Sequence, residues 1–413
     1  MEPKIRLKGF SGEWKTSVIE EVATFSKGRG YSKSDLRPEG NPIILYGRLY
    51  TNYSSVIDSV DTFASLQNGS VLSKGNEVII PGSGETPEDI AVASAVEQKG
   101  VILGGDLNVV TFNQEKIVPA FAAMSITNSK THYELSGYAQ GKTVVHLHNS
   151  SISKGHLSYP SIEEQNAIVS YVSSIDSLIQ STTKKIESLK QVKAASLQSM
   201  FPKEGETTPR VRFKGFEGDW EKVLVGKMGT TYSGLYGKTK DDFGIGDARF
   251  VTFLNVLTNA KIDTSILEAV NVCEGEHQNE VKNGDLLFNT SSETPEEVGM
   301  CAVMDEELEN VYLNSFCFGF RVTDENIDPA CVAYLMRSHI GRRIMSILAQ
   351  GATRYNLSKN SFCKAELILP KTKEEQNAIA GYFTNLDSQI TLQTQLLEKL
   401  KQIKSACLDN MFV

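Results

Sequence analysis

A stretch of 39 residues occurs twice in this chain, and the duplication constrains the fold more than any other feature. Residues 163–201 align without a gap to residues 374–412, a shift of 211 positions, and 20 of the 39 aligned residues are identical. Both copies begin with Glu-Glu-Gln-Asn-Ala-Ile and end with Met-Phe. A duplication of this length predicts two structural units of the same kind.

Each copy is predicted to form one long helix. Apolar residues recur at alternating steps of three and four, which is the a/d pattern of a coiled coil. Both copies interrupt this seam at one matched polar position, Thr182 and Gln393. We expect the helices, each roughly 55 Å long, to pair antiparallel rather than to act only as core helices. The predicted seam residues are Ile168, Val172, Ile175, Ile179, Ile186, Leu189, Ile379, Phe383, Leu386, Ile390, Leu397 and Leu400.

The segments that precede the helices are also related. Residues 9–14 (Gly-Phe-Ser-Gly-Glu-Trp) correspond to residues 215–220 (Gly-Phe-Glu-Gly-Asp-Trp), and they hold the only two Trp of the chain. We interpret them as corners where Phe and Trp seal the start of a domain, although neighbouring Arg and Lys side chains could also contact phosphate. A Glu-Thr-Pro-Glu core recurs within residues 83–88 and 291–296.

Strand-like and helix-like patterns are mixed in both globular segments, which predicts the α+β class. The two globular units are expected to be pseudo-repeats separated by the long helices. Strands are predicted at 107–112 and 313–320, and helices at 119–126 and 329–348. The predicted boundaries are 1–160 for the first globular unit, 161–201 for the first helix, 202–208 for a linker, 209–370 for the second globular unit and 371–413 for the second helix.

Charge and composition narrow the function classes. The formal net charge is −8, and residues 209–370 contribute 17 − 23 = −6 of it. This acidity counts against a non-specific nucleic-acid binder, which should be basic. The chain has no apolar run long enough to span a membrane and no signal-peptide core near its first residue, so we expect it in the cytoplasm. All six Cys lie in the second half without a C-x-x-C pair, which predicts buried free thiols.

No catalytic or cofactor signature stands out. Residues 137–143 resemble a phosphate-binding loop, but only three residues separate the glycines where four are needed. Residues 41–44 (Asn-Pro-Ile-Ile) fall short of an amino-methyltransferase loop, and Asp89 with residues 97–99 is too short a pattern for a nuclease. His146 and His148 are a weak metal signal. We therefore predict no catalytic residue, no metal ligand and no cofactor on this chain.

Between the shared anchors, the two globular segments diverge. Residues 27–60 and 232–262 have little in common, yet both are Gly-rich and interleave Tyr with Lys and Arg. Such a mixture supplies charge for phosphates and hydrogen-bonding groups for base edges. The alternative is that both are ordinary polar loops.

The order of these segments resembles that of the specificity subunits of type I restriction-modification systems. The Gly-Phe-x-Gly-x-Trp openings and both Glu-Gln-Asn-Ala-Ile helices match the family pattern, and the resemblance covers essentially the whole chain. It implies two target-recognition domains, each reading one half of a split site in double-stranded DNA. It also implies that the helices, including their seam residues, set the unspecified spacer and dock two modification subunits.

The resemblance further implies that the chemistry belongs to partner subunits. The modification subunits would hold S-adenosylmethionine and methylate adenine, and restriction subunits using ATP and Mg would cut unmodified DNA. The chain itself would be a non-catalytic targeting subunit that binds DNA weakly on its own. Two rival interpretations are a self-contained methyltransferase or nuclease, and an acidic adaptor that binds nucleic-acid enzymes without reading DNA.

Candidate DNA contacts lie in the divergent loops, in the Glu-Thr-Pro loops and after Gly141 or Gly351. Asn255 and Asn356 could read adenine through two hydrogen bonds. Ser83 and Glu85, like Ser292 and Glu293, could equally cap turns. The complete candidate set is Arg29, Tyr31, Lys33, Arg48, Tyr50, Ser83, Glu85, Thr86, Lys142, Thr143, Tyr232, Tyr236, Lys238, Lys240, Asn255, Ser292, Glu293, Thr294, Arg354, Tyr355 and Asn356.

Overall fold

A computed structural model describes residues 2–413. The chain divides into two compact units. Unit 1 extends to Thr183 and also includes Gln395–Val413, whereas unit 2 is Lys184–Thr394. Each unit therefore combines one globular segment with part of both long helices, and the division by contacts does not follow the order of the chain.

Unit 1 mixes short strands with helices around a central sheet whose strands are antiparallel except for the edge pair β5 and β9. Its strands are β1 (Lys15–Val18), β2 (Ala23–Lys27), β3 (Leu36–Arg37), β4 (Asn41–Ile44), β5 (Val56–Ile57), β6 (Phe63–Ala64), β7 (Glu77–Pro81), β8 (Ser83–Gly84), β9 (Ser94–Val96), β10 (Ile102–Leu103), β11 (Leu107–Phe112), β12 (Val145–His146) and β13 (His156–Tyr159). Its helices are α1 (Arg48–Thr51), α2 (Pro87–Ile90), α3 (Pro119–Asn128), α4 (Lys130–Gly137), α5 (Asn149–Ile152) and the first part of α6 (Ile162–Ser199).

The largest sheet of unit 1 has the strand order β2-β11-β7-β9-β5, and a second sheet has the order β10-β4-β6-β3. Strand β11 is antiparallel to both of its neighbours. The apolar side chains of β7 and β11 are buried, and α3 packs its buried Phe121 into the same core. Strands β1 and β13 pair at the base of the unit, so the globular segment begins and ends at one place.

Unit 2 repeats this plan with different details. Its strands are β14 (Glu221–Leu224), β15 (Gly229–Ser233), β16 (Phe243–Val251), β17 (Glu268–Val270), β18 (Asp285–Asn289), β19 (Ser291–Ser292), β20 (Cys301–Val303), β21 (Val311–Leu313), β22 (Cys317–Val322), β23 (Ala349–Gln350), β24 (Tyr355–Leu357) and β25 (Glu366–Leu369). Its helices are α7 (Val225–Met228), α8 (Phe253–Thr258), α9 (Pro329–Arg337), α10 (His339–Leu348), α11 (Lys359–Cys363), the second part of α6 and the first part of α12 (Lys373–Met411). The sheets have the orders β15-β22-β18-β20, β17-β16-β21 and β19-β24-β23, and β14 pairs with β25 at the base.

Two elements of unit 2 differ from the prediction. The strand expected at 313–320 is two strands, β21 and β22, because the Asn314 carbonyl accepts from the Cys317 N–H and closes a turn between them. The helix expected at 329–348 is also two, α9 and α10, which Ser338 separates. The Ser338 hydroxyl accepts from the Gly341 N–H as an N-cap. The strand predicted at 107–112 is confirmed, and the helix predicted at 119–126 extends to Asn128.

The repeated motifs meet where each long helix begins. In unit 1, Arg6 donates from Nε and Nη2 to the two carboxylate oxygens of Glu164, at 2.8 and 2.7 Å, and from Nη1 to the Gly12 carbonyl. In unit 2, Arg212 makes the same two bonds to Glu375, at 2.7 and 2.8 Å. The Gly-Phe-x-Gly-x-Trp segment is therefore fastened to the second Glu of the helix motif.

The Gln that follows this Glu in each helix also forms hydrogen bonds through both its amide oxygen and its amide nitrogen. Gln165 accepts from the Val118 N–H and donates to the carbonyls of Lys116 and Pro160. Gln376 repeats the set, accepting from the Asp328 N–H and donating to the carbonyls of Asn326 and Pro370. A buried amide with these partners has little freedom to be another residue type.

The two long helices contact each other within each unit. In unit 2, Lys193 forms an ion pair with Asp387, and the Ser196 hydroxyl lies 3.0 Å from the Tyr382 hydroxyl. The residue number falls along α12 as it rises along α6, so these segments are antiparallel. In unit 1, Lys404 forms an ion pair with Asp176 at 2.5 Å. The two Lys residues occupy the same position of the 211-residue repeat, and so do the two Asp residues. In unit 2 the Lys lies on α6 and the Asp on α12, whereas in unit 1 the Lys lies on α12 and the Asp on α6.

The predicted seam residues do more than pair helices. Ile168, Val172 and Ile175 are buried in the core of unit 1, together with Met411 and Phe412 from the end of α12. In unit 2, Ile379, Phe383 and Leu386 are buried in the globular core in the same way. Of the remaining seam residues, Ile186 is buried. The partly buried ones are Ile179, Leu189, Ile390, Leu397 and Leu400.

The cysteines are free thiols, and most are buried as predicted. Two of them depart from the prediction: Cys273 lies exposed on a loop of unit 2, and Cys363 is half-buried. Among residues 2–413, no helix combines the length and the apolar character that crossing a membrane would require.

Candidate nucleic-acid interface

A groove of about 1390 Å³ opens on unit 1. Most of its lining comes from three stretches that are far apart in sequence: the Tyr-rich segment 31–53, the loop after β7 and the turn before β11. Most of the candidate residues of unit 1 share this groove, namely Tyr31, Lys33, Arg48, Tyr50, Ser83 and Glu85. The structure therefore brings together candidates that the sequence had placed in two separate loops.

Charged and phenolic groups of the groove hold one another in place. Arg48 donates to Asp61 at 2.8 Å, and this hydrogen bond lowers the pKa of the Asp61 carboxyl. The Tyr50 hydroxyl donates to the Ser83 carbonyl at 2.6 Å, and burial raises the pKa of the Tyr50 phenol. Lys33 is exposed at the edge, so the groove presents both signs of charge.

Two residues of the groove have a positive φ, a backbone conformation that residues other than glycine rarely adopt. Tyr31 and Asp106 both have φ of +60°. Asp tolerates this left-handed region, but Tyr adopts it rarely, and such strain tends to occur at functional sites. The Tyr31 hydroxyl is fixed by Ser70 Oγ at 2.6 Å and by the Gln67 N–H at 2.8 Å. Arg29, two residues earlier, is exposed but does not line the groove.

A hairpin adds the third predicted segment of unit 1. Strand β12 pairs with β8, placing Val145 opposite Gly84 and His146 opposite Ser83. Two backbone hydrogen bonds between Gln140 and His146 close the turn, and its tip carries the exposed Lys142 and Thr143. The tip therefore projects beside the Glu-Thr-Pro loop, where Thr86 caps helix α2.

Unit 2 has the corresponding hairpin. Strand β24 pairs with β19, so that Asn356 faces Ser291 and Tyr355 faces Ser292. This pairing gathers the candidates of two more loops, which are Ser292, Glu293, Thr294, Arg354, Tyr355 and Asn356. Glu293, Thr294, Arg354 and Asn356 are exposed, and Tyr355 is half-buried.

Two candidates of unit 2 are engaged in contacts within the protein. Asn255 is fully buried; its amide donates to the Asp263 carbonyl at 2.9 Å and accepts from the Asp263 N–H at 3.1 Å. It therefore stabilises a loop and has no free edge for adenine. The Tyr232 hydroxyl donates to Asp285 at 2.7 Å beneath the Arg321 guanidinium, and burial and Asp285 raise its pKa.

Lys238 is also committed within the protein. Its side chain is only 6 % exposed and forms an ion pair with Glu276. This bond, with donors from Gln278 and the Cys273 N–H, lowers the pKa of Glu276 to about 2. In the same loop, Lys240 is exposed, and the exposed Tyr236 donates its hydroxyl hydrogen to the His277 carbonyl.

The hydroxyls of the two serines of the Glu-Thr-Pro loops are both engaged in hydrogen bonds within the protein. Ser83 is buried and donates to Asp106 at 2.7 Å, and Ser292 donates to Glu297 at 3.0 Å. Sequence reasoning missed other groove residues, including Tyr46, Tyr53 and Asp106. Tyr46 and Tyr53 carry the same Tyr-rich signal as the chosen candidates, whereas Asp106 had no signal. Among residues 2–413, no cluster of three or more His, Cys, Asp or Glu could hold a metal ion.

The long helices also expose apolar side chains outside the predicted seam. The seam is largely used for packing within each unit, so it leaves little surface for another protein. The exposed residues are Leu178, Val192, Leu392, Leu396 and Ile403. Val192 and Ile403 occupy the same repeat position, since they differ by 211.

Comparison with known proteins gives one consistent result. The family described as type I restriction modification DNA specificity domain matches twice, over residues 11–191 and 218–402. The specificity subunit of the type I restriction enzyme MjaVIII from Methanocaldococcus jannaschii is 21 % identical over 350 residues, which are 83 % of this chain and 79 % of that protein.

Solved structures share the fold. The S subunit of a type I restriction-modification system from M. genitalium superposes with a TM-score of 0.61 and 14 % identity, covering 100 % of this chain and 99 % of that one. The HsdS subunit from Thermoanaerobacter tengcongensis gives a TM-score of 0.50 and 15 % identity, covering 97 % and 96 %.

Proposed function

Because the chain belongs to the family of type I restriction-modification DNA specificity subunits, we propose that each unit reads one half of a split double-stranded DNA site. One observation carries this proposal. The base of both units contains the same bidentate ion pair, Arg6–Glu164 in one and Arg212–Glu375 in the other. The surfaces beside the hairpins differ, with Lys142 in one and Ala352 at the matching place in the other. Two units that share the same supporting contacts but present different surfaces would read two different half-sites, as an asymmetric site requires.

The long helices would set the unspecified spacer and dock two modification subunits. The exposed apolar residues of α6 and α12, such as Val192 and Ile403, support a docking role. Those partners would bind S-adenosylmethionine and methylate adenine, and restriction subunits using ATP and Mg would cut unmodified DNA. The chain would work in the cytoplasm as a targeting subunit without catalytic residues of its own.

The net charge of −6 on residues 209–370 supports a division of labour in DNA binding. Phosphate contacts dominate the affinity of proteins for DNA and require Lys and Arg. The modification subunits would therefore supply much of the phosphate contact, while this chain supplies contacts to base edges.

Co-expression with a modification subunit tests the proposal. The genome of the host would be sequenced for methylated adenine. A new split motif with a spacer of constant length is expected. A stable complex that methylates no motif and has no salt-dependent affinity for DNA would favour the acidic adaptor instead. S-adenosylmethionine binding by the isolated chain would favour a self-contained methyltransferase.

A further inference from the structure

One surface position is equivalent in the two units but carries different residues. His146 faces Ser83 across the β12–β8 pair, and Asn356 faces Ser291 across the β24–β19 pair. Both side chains are exposed, and the residue that follows each in the chain, Leu147 or Leu357, is buried. The alternation along a strand therefore holds this side chain outward in both units.

Hydrogen bonds fix the tautomer of His146. Ser83 Oγ lies 2.7 Å from Asp106 Oδ2 and 3.0 Å from His146 Nδ1. An ionised carboxylate can only accept, and a hydroxyl has one hydrogen to give. Ser83 therefore donates to Asp106, and His146 must donate from Nδ1 to Ser83. The neutral imidazole consequently keeps Nε2 as a hydrogen-bond acceptor.

The groups behind His146 are themselves held in place. The Tyr50 hydroxyl donates to the Ser83 carbonyl at 2.6 Å. Asp106 accepts from the Gly82 N–H at 2.6 Å through its carbonyl, and its φ of +60° directs it into the same cluster. His148 stacks parallel to the His146 ring, with 6.2 Å between the ring centroids. Since Ser83 and Asp106 act on the imidazole, they are positioning residues.

Asn356 offers a different edge at the matching place. Its amide nitrogen donates to the Arg354 carbonyl at 3.3 Å, which leaves a second N–H and the amide oxygen. A side-chain amide matches the adenine edge with one donor and one acceptor. An imidazole whose Nε2 accepts matches any base that presents an exocyclic amine in the major groove, either adenine or cytosine.

We propose that the position facing Ser83 or Ser291 determines one base of each half-site: His146 accepts from an exocyclic amine in one half, and Asn356 binds adenine in the other. This inference rests on the proposed function, because it assumes that both hairpins face DNA. It assigns base reading to a histidine that, judged by its sequence alone, resembled only a weak metal ligand.

Exchange of the two residues tests the proposal in the assembled methyltransferase. His146→Asn should change one base of one half-site, and Asn356→His should change one base of the other half-site. Each variant controls the other, because the half that stays constant reports an intact complex. His146→Ala should relax the preference at that single base by roughly tenfold.

The outcomes separate this inference from the proposed function. If His146→Ala and Asn356→Ala both leave the split motif unchanged, the inference is overturned while the proposed function stands. Loss of all methylation by an intact His146→Ala complex also overturns it, because the residue would then serve the whole site rather than one base. If the wild-type complex methylates no split motif, the proposed function fails first.

The tautomer can be measured without DNA or partners. Nitrogen-15 chemical shifts of the His146 ring in the full chain should report a hydrogen on Nδ1 in the neutral form. Ser83→Ala should move the hydrogen to Nε2, and Ser83→Thr, which keeps the hydroxyl, should leave it on Nδ1. A hydrogen on Nε2 in the unaltered chain would contradict the accepting role of His146.

Discussion

Arg6 binds both carboxylate oxygens of Glu164, a residue that follows it by 158 positions. The Glu164 side chain is 3 % exposed and that of Arg6 is 16 % exposed, so the pair is largely removed from water. Unit 2 repeats it with Arg212 and Glu375. This pair explains why two distant motifs of the sequence recur together, since each needs the other to satisfy its charge.

Removing Arg6 should destabilise unit 1 strongly. Arg6→Ala leaves a buried carboxylate without its partner, a change that costs about 3–5 kcal/mol for fully buried pairs, and we expect about 2–4 kcal/mol here. Denaturant unfolding of the full chain measures it. Glu163→Gln is the matched control, because Glu163 is exposed and adjacent. Equal stability of Arg6→Ala and the control would refute the role of the pair.

Lengthening both long helices should lengthen the spacer of the DNA site. Seven residues inserted after Thr182 and seven after Gln393 keep the heptad register and add about 10 Å. At roughly 34–36 Å per turn of duplex, the methylated motif should gain about three base pairs of spacer with both half-sites unchanged. An insertion in one helix alone should weaken the complex. If the doubly extended chain methylated a motif with an unchanged spacer, the long helices would not set the spacer length.

The isolated chain should bind DNA weakly. Residues 209–370 carry a net charge of −6, and Lys238, a candidate phosphate contact, is already paired with Glu276. Fluorescence anisotropy with the duplex identified by methylation should give tight, sequence-selective binding only after a modification subunit is added. Selective binding of nanomolar strength by the chain alone would contradict this expectation.

The Glu276 carboxyl should make one loop of unit 2 sensitive to acid. Hydrogen bonds from Lys238, Gln278 and the Cys273 N–H lower its pKa to about 2, below the unfolded value of about 4.3. Its contribution to stability is therefore present above about pH 4.3 and is lost as the pH falls toward 2. Carboxyl-selective NMR titration would follow it, and Glu276→Gln should remove that part of the pH dependence. A Glu276 carboxyl that titrates near 4.3 would contradict the assignment.

Much of the fold follows from local patterns in the sequence. The duplicated helix motif, the strand at 107–112 and the helix starting at Pro119 all have periodic or capping signals. The break at Ser338 was missed because an apolar period continues across it, and only the cap geometry separates α9 from α10. The periodicity of apolar residues shows which face of a helix is buried, but it does not show at which residue the helix ends.

The site was harder to predict, because accessibility depends on distant partners. Asn255 lies on helix α8, where it is buried against Asp263, whereas Asn356 lies on strand β24 and is exposed. In the sequence, His146 and His148 indicate only a weak metal site, and the other repeat has Asn356 and Ser358 at the matching positions. Only the pairing with Ser83 and the proximity of Asp106 indicate a different role.

One chimaera tests most directly whether each unit reads its own half-site. The strand pairs β1–β13 and β14–β25 close the two globular segments. Directly beyond them, the Ile19 N–H donates to the Gly155 carbonyl, and the Val225 N–H donates to the Ala365 carbonyl. Residues 225–365 can therefore replace residues 19–155 with both junctions next to the strand pair β1–β13. With a modification subunit, this chain should methylate a split site whose two halves carry the same bases, at the original spacing. Methylation of the original asymmetric site by the chimaera would contradict the account.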